Sequence, residues 1–518
     1  MKEIISILAL FFIAITSHSQ IITSDKFEFS SSALVYSGKI KTAPDLVEND
    51  VVLKFSYNLK KKTLTAKIVN LRNLNIESEK TLVLNYKFAS YTDDWCIHAK
   101  ENSYLIFTAT SGKVRRLVYV KFDRRLGEFS ESIVEFPVSN SGYEKFNHVL
   151  SPDSTLIARM ETKSSGLILP VNGNVKVDIL DTEQELKLVR TELFEDKTIP
   201  AERRGERVTD LNFNLKISNT GKIALLKSIA IDRGGNIKTK IENYHLLFRS
   251  DDEGNVIQNL LNIDFNAQMF NFLFIKERLV MVGLYNTATN MEQYKGYFMT
   301  EFSSDLGVVG TKFTDFPNAF YTNYYSTETD DFKGSKSTEE GHIHSIKMTQ
   351  FKQLSDGNYF VVCEKIYYKN RSQATRRHNQ NVYIAILSPE FKMVKNFVVP
   401  KYLYDSDYGR GTLNSEVLIG QDHIFVFTQE DREVQLPKNE KEAISLTRAA
   451  ITSPNYVCYR ININDESMER YVLFSIKTNV SQFEFFPKEV FLNESGEIFS
   501  WMLFPDKKGN ALFRITLN

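Results

Sequence analysis

Two histidines near the middle of the sequence have the residue type and spacing of metal ligands. His342 and His344 alternate, so in a β-strand both imidazoles face the same side of the sheet. Imidazole nitrogens bind zinc and other transition metals, and two glutamates lie just upstream. A complete site needs a further ligand from elsewhere in the chain, so solvated histidines at the start of a strand are the alternative interpretation.

Two aspartates form a second candidate cation site. Asp405 and Asp407 begin the segment Asp-Ser-Asp-Tyr-Gly, which is similar to the start of a calcium-binding loop. Gly409 stands where such a loop has its third ligand, one position before the glycine of the sharp turn. A polar turn is therefore the alternative, and the sequence predicts no bound cofactor.

Three tyrosines mark a candidate binding loop. Tyr321, Tyr324 and Tyr325 lie in a polar segment between two β-like regions. Tyrosine combines an apolar ring with a polar tip, which suits the binding of sugars or peptides. Packing against neighbouring strands is the alternative interpretation.

The sequence predicts no catalytic residue. It contains no Gly-x-Ser-x-Gly elbow, no His-Glu-x-x-His, no Cys-x-x-Cys and no phosphate-binding Gly-x-x-x-x-Gly-Lys. Its cysteines, Cys96, Cys363 and Cys458, each lie in an apolar β-like run and are expected to be buried as small hydrophobic side chains. A Cys363–Cys458 disulfide remains open, because sequence cannot establish the geometry that it requires.

The charge balance excludes one class of partner. Lysine plus arginine number 64, and aspartate plus glutamate also number 64, among 518 residues. A protein that binds nucleic acid or an anionic membrane through its overall charge needs a basic excess. We therefore expect no nucleic-acid partner.

The elements that position these residues are almost all β-strands. Runs of Val, Ile, Phe, Tyr and Leu alternate with turns, and the one helix-like pattern spans Lys438 to Ile451. The strands recur in units of four, as in a β-propeller, where radial packing buries sheets that a single unit leaves exposed. The first hairpins of these units begin near Tyr91, Phe146, Val208, Met269, Ile346, Leu413 and Phe483.

One turn resembles that of a known repeat family. Ser151-Pro152-Asp153-Ser154 resembles the Ser-Pro-Asp-Gly turn of TolB-type, WD40-like propeller repeats, and Leu354-Ser355-Asp356-Gly357 resembles it as well. The resemblance covers the turn and its flanks and implies that the turn joins the two inner strands of a blade.

We therefore predict an all-β fold, a β-propeller of about seven four-stranded blades, with six or eight as alternatives. Residues 89–518 form the propeller, with insertions at about 318–344 and 429–454. Residues 20–88 carry N-terminal strands, one of which closes the last blade; the candidates are Val51 to Tyr57, Thr63 to Val69 and Thr81 to Phe88. The rest of this segment forms an extra hairpin or an eighth, imperfect blade. The competing fold is a pair of β-sandwich-like domains with a boundary near 318–341.

The N-terminus resembles an export signal. Residues 1–19 contain one lysine, an apolar run from Ile4 to Ile15 and small residues at the expected cleavage site. No cysteine follows the run, so we expect no lipid anchor there, and no later apolar run is long enough to predict a transmembrane helix. The mature chain is expected in the periplasm or outside a bacterial cell.

The absence of a catalytic motif beside a repeat fold favours a secreted or periplasmic binding or scaffold propeller, whose partner is a protein or glycan of the cell envelope. One alternative is a propeller that hydrolyses carbohydrate, which needs two carboxylates facing one sugar. The other is a sensor of a metal or a small ligand, using His342 or Asp405.

Overall fold

The computed structural model describes most of the chain downstream of the N-terminal apolar run. The described residues are 21–23, 27–31, 36–37, 41–42, 46–48, 50–58, 61–84, 87–111, 114–138, 144–163, 175–195, 207–232, 241–251, 253–261, 266–286, 293–322, 343–371, 374–405, 415–431, 454–474, 484–504 and 509–517.

These residues form eight antiparallel sheets built around four strands each, which we number as blades 1 to 8 in chain order, and one small two-stranded sheet. Three short strands precede them: β1 (Ile21–Thr23), β2 (Phe27–Ser31) and β3 (Tyr36–Ser37). Blade 1 contains β4 (Lys41–Thr42), β5 (Leu46–Glu48), β6 (Val51–Asn58), β7 (Thr63–Asn70) and β8 (Ile76–Val83). Blade 2 contains β9 (Lys87–His98), β10 (Asn102–Ser111), β11 (Val114–Asp123) and β12 (Glu128–Val138).

Blades 3 to 5 repeat the same antiparallel order. Blade 3 contains β13 (Glu144–Leu150), β14 (Leu156–Lys163), β15 (Val175–Asp181) and β16 (Lys187–Phe194). Blade 4 contains β17 (Arg207–Ile217), β18 (Ile223–Asp232), β19 (Ile241–Ser250) and β20 (Val256–Leu260). Blade 5 contains β21 (Asn266–Ile275), β22 (Arg278–Asn286), β24 (Gly296–Phe302) and β25 (Val308–Asp315), with β23 (Gln293–Tyr294) between its second and third strands.

Blades 6 to 8 complete the series. The helix α1 (Ala319–Thr322) and the short strand β26 (Ile343–His344), which pairs with β23, precede blade 6. Blade 6 contains β27 (Ile346–Gln353), β28 (Tyr359–Arg371), β29 (Ala374–Leu387) and β30 (Met393–Asp405). Blade 7 contains β31 (Glu416–Ile419), β32 (His423–Asp431), β33 (Pro454–Asn462) and β34 (Met468–Phe474). Blade 8 contains β35 (Glu484–Leu492), β36 (Ile498–Phe504), β37 (Gly509–Leu517) and, as its fourth strand, β2.

Eight apolar clusters, one at each junction between successive blades, arrange the sheets as a closed ring. They join blades 1–2, 2–3, 3–4, 4–5, 5–6, 6–7 and 7–8, and the last joins blade 8 to blade 1. In that last cluster Val52 and Val69 pack with Phe499 and Trp501. The protein is therefore a β-propeller, and within the described residues it has eight blades.

The expectation of seven blades was wrong for a physical reason. The first strand of blade 1 is divided into β4 and β5, of two and three residues, so this sheet lacks the regular first hairpin by which the repeats were recognised. Its later strands resemble those of the other blades, because β6 is buried along most of its length and β7 has buried residues at intervals between partly buried ones. The strand that pairs with β37 is β2, which lies upstream of the three strands expected in that role.

The alternative of two β-sandwich-like domains is also wrong. One apolar cluster crosses the expected boundary, because Phe316 and Phe320 pack with Ile343 and with Tyr383 of blade 6. Of the two predicted insertions, the structure describes residues 318–322, 343–344, 429–431 and 454, and the predicted helix from Lys438 to Ile451 lies outside the described residues. Within the described residues, no helix is long and apolar enough to cross a membrane.

The turn that resembles TolB-type repeats joins the first two strands of blade 3, as the resemblance implied. Ser154 takes the position of the family's glycine with a left-handed φ of 61°. Asp153 holds this turn, because its Oδ1 accepts hydrogen bonds from the Ser151 hydroxyl at 2.6 Å and the Thr155 hydroxyl at 3.0 Å. The corresponding glycine of blade 6, Gly357, has a φ of 88°.

Polar contacts repeat around the rim of the ring. In each, a side chain from the outer half of one blade contacts the end of the third strand of the next blade, or the residues that follow it. Such contacts at the eight junctions are Lys80 to Glu128, Lys121 to Glu185, Arg190 to Asp251, Arg249 to Ser303, Lys312 to Pro389, Lys395 to Glu466, Arg460 to Leu517 and Arg514 to Arg72.

A buried ion pair lies at the junction of blades 6 and 7. The Lys401 ammonium contacts the Glu364 carboxylate, and both side chains are at most 2% exposed. Lys401 Nζ also donates to the Ser415 hydroxyl at 3.0 Å, which in turn contacts Thr428 at 3.2 Å. Breaking one half of a buried pair costs more than the pair contributes, because it leaves an uncompensated charge.

We expect Lys401→Met to lower the free energy of unfolding by about 3–5 kcal/mol, since it leaves Glu364 buried and unpaired. The double variant Lys401→Met/Glu364→Met should regain most of this loss. Urea denaturation at neutral pH measures both, with Lys100→Met, which breaks an exposed pair, as the control. A single variant as stable as the wild type would contradict the assignment.

A second buried polar cluster lies between blades 2 and 3. His148 Nε2 and the Tyr119 hydroxyl are 2.7 Å apart, and Arg159, which is paired with Asp178, lies close to both. Burial, with a smaller contribution from the Arg159 charge, lowers the pKa of His148 to about 3. The imidazole is therefore neutral in the folded protein at every moderate pH.

This burial predicts a loss of stability on acidification. Below about pH 6.5 the unfolded chain protonates His148, whereas the folded chain does not until about pH 3. This group should therefore remove about 2 kcal/mol of unfolding free energy between pH 6.5 and pH 5. Urea denaturation of wild type and His148→Gln at both pH values tests this, and equal losses in the two proteins would contradict it.

A candidate functional site between blades 1 and 2

A cleft of about 480 Å³ opens between blades 1 and 2, on the face that carries the turn between the first two strands of each blade. Blade 1 contributes β5, the start of β6 and part of β7, and blade 2 contributes its two turns on the same face. The lining residues are Leu46, Glu48, Val51, Leu53, Ile68, Lys100, Glu101, Phe122, Asp123, Arg124 and Arg125.

The floor of the cleft is apolar. Leu53 and Phe122 belong to the buried cluster between the two blades, with exposures of 5% and 0%, and Leu46 and Ile68 pack against it. Phe122 contacts Phe55 edge to face at 5.2 Å between ring centroids, which fixes the floor from below. The floor is therefore a rigid part of the junction between the blades.

Arg124 builds the wall of the cleft. Its guanidinium donates hydrogen bonds to the carbonyl oxygens of Ala99 at 2.6 Å and Asn102 at 3.3 Å, and also to the carbonyl of Lys100. Its Nε lies 3.4 Å from the Glu48 carboxylate of blade 1. Arg124 therefore ties the two turns of blade 2 to each other and to the neighbouring blade.

Of the remaining charged side chains at the rim, Arg125 and Glu101 are available to a ligand, whereas Lys100 and Asp123 already have partners. Lys100 is paired with Glu183 of blade 3 at 3.0 Å, which raises the pKa of its ammonium. Arg125 and Glu101 are exposed, and neither side chain has an ion pair with any described residue. Asp123 is occupied locally, because its carboxylate accepts the backbone N–H of the turn at 2.9 Å.

The arrangement joins an apolar floor to a rim with one available cation and one available anion. Five of the lining side chains are apolar and the other six are charged. Protein interfaces combine an apolar centre with a polar rim in this way, and such a cleft holds an apolar side chain whose neighbours carry charge.

The predicted metal-binding histidines belong to another part of the ring. The backbone of His344 pairs with that of Gln293 in the small sheet before blade 6, while its side chain and all of His342 lie outside the described residues. Among the described residues, no three His, Cys, Asp or Glu side chains are grouped closely enough to hold a metal ion.

The other predicted site residues are also distant from the cleft along the chain. Asp405 is the last residue of β30, and Tyr321 lies in α1, but the structure does not describe either side chain. Asp407, Tyr324 and Tyr325 lie outside the described residues. The calcium loop and the tyrosine loop remain predictions.

Sequence analysis did not identify the cleft. Its residues come from two blades and include no motif, and blade 1 was predicted only as one alternative for the N-terminal strands. The available signal was the pair Arg124-Arg125, two adjacent cations in the turn that follows an apolar strand.

No protein-family model matches this chain, and no curated protein matches it either. Among solved structures, it is similar to a prolyl endopeptidase, with 11% identity and a TM-score of 0.37 over 91% of this chain and 55% of that one. It is also similar to dipeptidyl peptidase 4 of Porphyromonas gingivalis, with 10% identity and a TM-score of 0.39 over 92% of this chain and 59% of that one.

The chain thus spans little more than half the length of these two peptidases. A third similar structure is the β-propeller domain of the trilobed protease from Pyrococcus furiosus, with 10% identity and a TM-score of 0.33 over 84% of this chain and 98% of that domain. The assignment of this chain as a propeller rests on its own strand topology and on its closed series of apolar clusters.

The two adjacent arginines should differ in their contribution to stability. Arg124→Ala removes hydrogen bonds to three carbonyls and should lower the free energy of unfolding by about 1–3 kcal/mol. Arg125→Ala should leave it unchanged, because this side chain is exposed and has no ion pair with any described residue. Thermal and urea denaturation of the two variants test this, and equal losses would show that the cleft wall is held in another way.

Proposed function

We propose that this chain is an exported binding propeller that holds a segment of a partner protein in the cleft between blades 1 and 2. The observation that carries the proposal is the composition of the cleft, whose floor is apolar and whose rim offers Arg125 and Glu101. Export is supported by the signal-like pattern of residues 1–19.

The cleft favours a peptide over a glycan. Sugar sites commonly present an exposed aromatic face and neutral polar groups, whereas the one aromatic residue of this lining, Phe122, is fully buried. A peptide supplies both an apolar side chain for the floor and charged neighbours for the rim. The rigid floor and the clamped wall reduce the ordering cost of binding, because the site is already formed.

Peptide display against the purified mature protein tests the proposal. A library of random peptides should yield binders, and Leu46→Asp, which places a charge on the floor, should weaken their binding by about tenfold or more. Arg125→Glu should lower the affinity of the acidic peptides among them, because it replaces an attractive charge at the rim by a repulsive one. Isothermal titration of chosen peptides measures both effects.

The matched control is Lys392→Glu, which reverses an exposed cation in the corresponding turn of blade 6 and should leave the affinities unchanged. Circular dichroism confirms that each variant is folded. Peptides that bind the floor variant as well as the wild type would overturn the site. Binding to glycans on a glycan array, with no peptide binders, would show that the protein binds carbohydrate instead of a peptide.

A further inference from the structure

Cys96, His98 and Ser103 form a group that the proposed binding function does not use. Cys96 and His98 are two residues apart on β9, so both side chains face the same side of the sheet. Ser103 lies on β10, directly opposite His98 in the register. All three therefore lie at the junction of blades 1 and 2.

The geometry is that of a nucleophile, a base and a residue that orients the base. The Cys96 sulfur lies 3.8 Å from His98 Nε2, and His98 Nδ1 lies 2.9 Å from the Ser103 hydroxyl. In the tautomer that carries its proton on Nδ1, the ring donates to Ser103, and the lone pair of Nε2 is directed at the thiol. Phe55, stacked on the imidazole at 6.1 Å between centroids, holds the ring in this orientation.

The other two cysteines show what distinguishes Cys96. Cys363 and Cys458 are 0% exposed, whereas Cys96 is 8% exposed. Burial raises the pKa of the Cys363 and Cys458 thiols well above the usual range. All three cysteines are unbridged, so the chain contains one thiol beside a base and two inert thiols as internal references.

The position of Cys96 relates it to the cleft. Cys96 belongs to the same apolar cluster as Leu53 and Phe122, which form the floor of the cleft. A small molecule that enters between blades 1 and 2 therefore approaches this cluster from the open side.

We propose that Cys96 is a site of covalent modification, at which His98 activates the thiol for exchange with a small-molecule disulfide. The proton of the thiol moves to His98 Nε2, and the thiolate attacks one sulfur of the disulfide. A new sulfur–sulfur bond forms at Cys96, and the bond of the reagent breaks. The departing thiolate takes the proton from His98, so the products are a mixed disulfide and one free small thiol.

The test is the reaction of the folded protein with dithiodipyridine, followed by peptide mapping with mass spectrometry. The adduct should form at Cys96 first, while Cys363 and Cys458 react only after denaturation. His98→Gln should slow the reaction at Cys96 by about tenfold near neutral pH, because the thiolate fraction falls. Ser103→Ala should cause a smaller decrease, since it releases the ring without removing the base.

His423→Gln is the matched control, because His423 also stacks on a phenylalanine, Phe425, at 6.1 Å, and should leave the rate at Cys96 unchanged. The pH profile separates activation from simple access. The wild-type rate should rise less steeply between about pH 6 and pH 8 than that of His98→Gln, where an unassisted thiol titrates.

Two results would overturn the proposal: reaction at Cys96 no faster than at the two buried cysteines, or an unchanged rate in His98→Gln. If the His98 variant exposes Cys363 and Cys458, it is misfolded, and the pH profile of the wild type and the rate of Ser103→Ala decide instead. None of these readouts depends on peptide binding, so this proposal and the proposed function can fail separately.

Discussion

The alternation of side chains along each strand is the constraint on which this structure depends. A propeller blade has neighbours on both faces, so odd and even positions of the same strand must both be apolar. In β28, Val361 and Cys363 pack towards blade 5, while Phe360 and Val362 pack towards blade 7. Each blade therefore contributes to two apolar clusters. Every blade face is covered only because blade 8 also packs against blade 1 and closes the ring.

Polar contacts are arranged around this apolar ring. The fourth strands have one face against solvent, as in β25, where most side chains are exposed, and the contacts from one blade to the next start from the outer half of each sheet. The cleft forms where this pattern changes. Arg124 is directed at its own blade as well as at Glu48, and the short first strand of blade 1 leaves space above Leu53.

The sequence was sufficient to predict the propeller, but it left the eighth blade as an alternative and did not identify the cleft. Strand periodicity and the Ser151–Ser154 turn are local, so both can be read directly from the chain. Blade 1 could be given only as an alternative, because the residues of β5 are too few to show a period. The cleft was missed because it depends on distances between strands, which a linear pattern does not encode. Cys96 and His98 are adjacent positions on one face of β9, but Cys-x-His alone matches no catalytic signature, and Ser103 lies on the next strand.

The pairing of β2 with β37 has a consequence for the order of assembly. Phe27 lies opposite Leu517, so this ladder joins segments separated by almost the whole chain. Contacts of such long sequence separation carry a large loop-closure entropy and form late. Blades 1 to 7 are each built from consecutive residues, whereas the pairing of β2 in blade 8 must wait until β37 has been synthesised. Until then the apolar faces of Val52 and Val69 have no partner, and the nascent protein presents an exposed hydrophobic surface of the kind that chaperones bind.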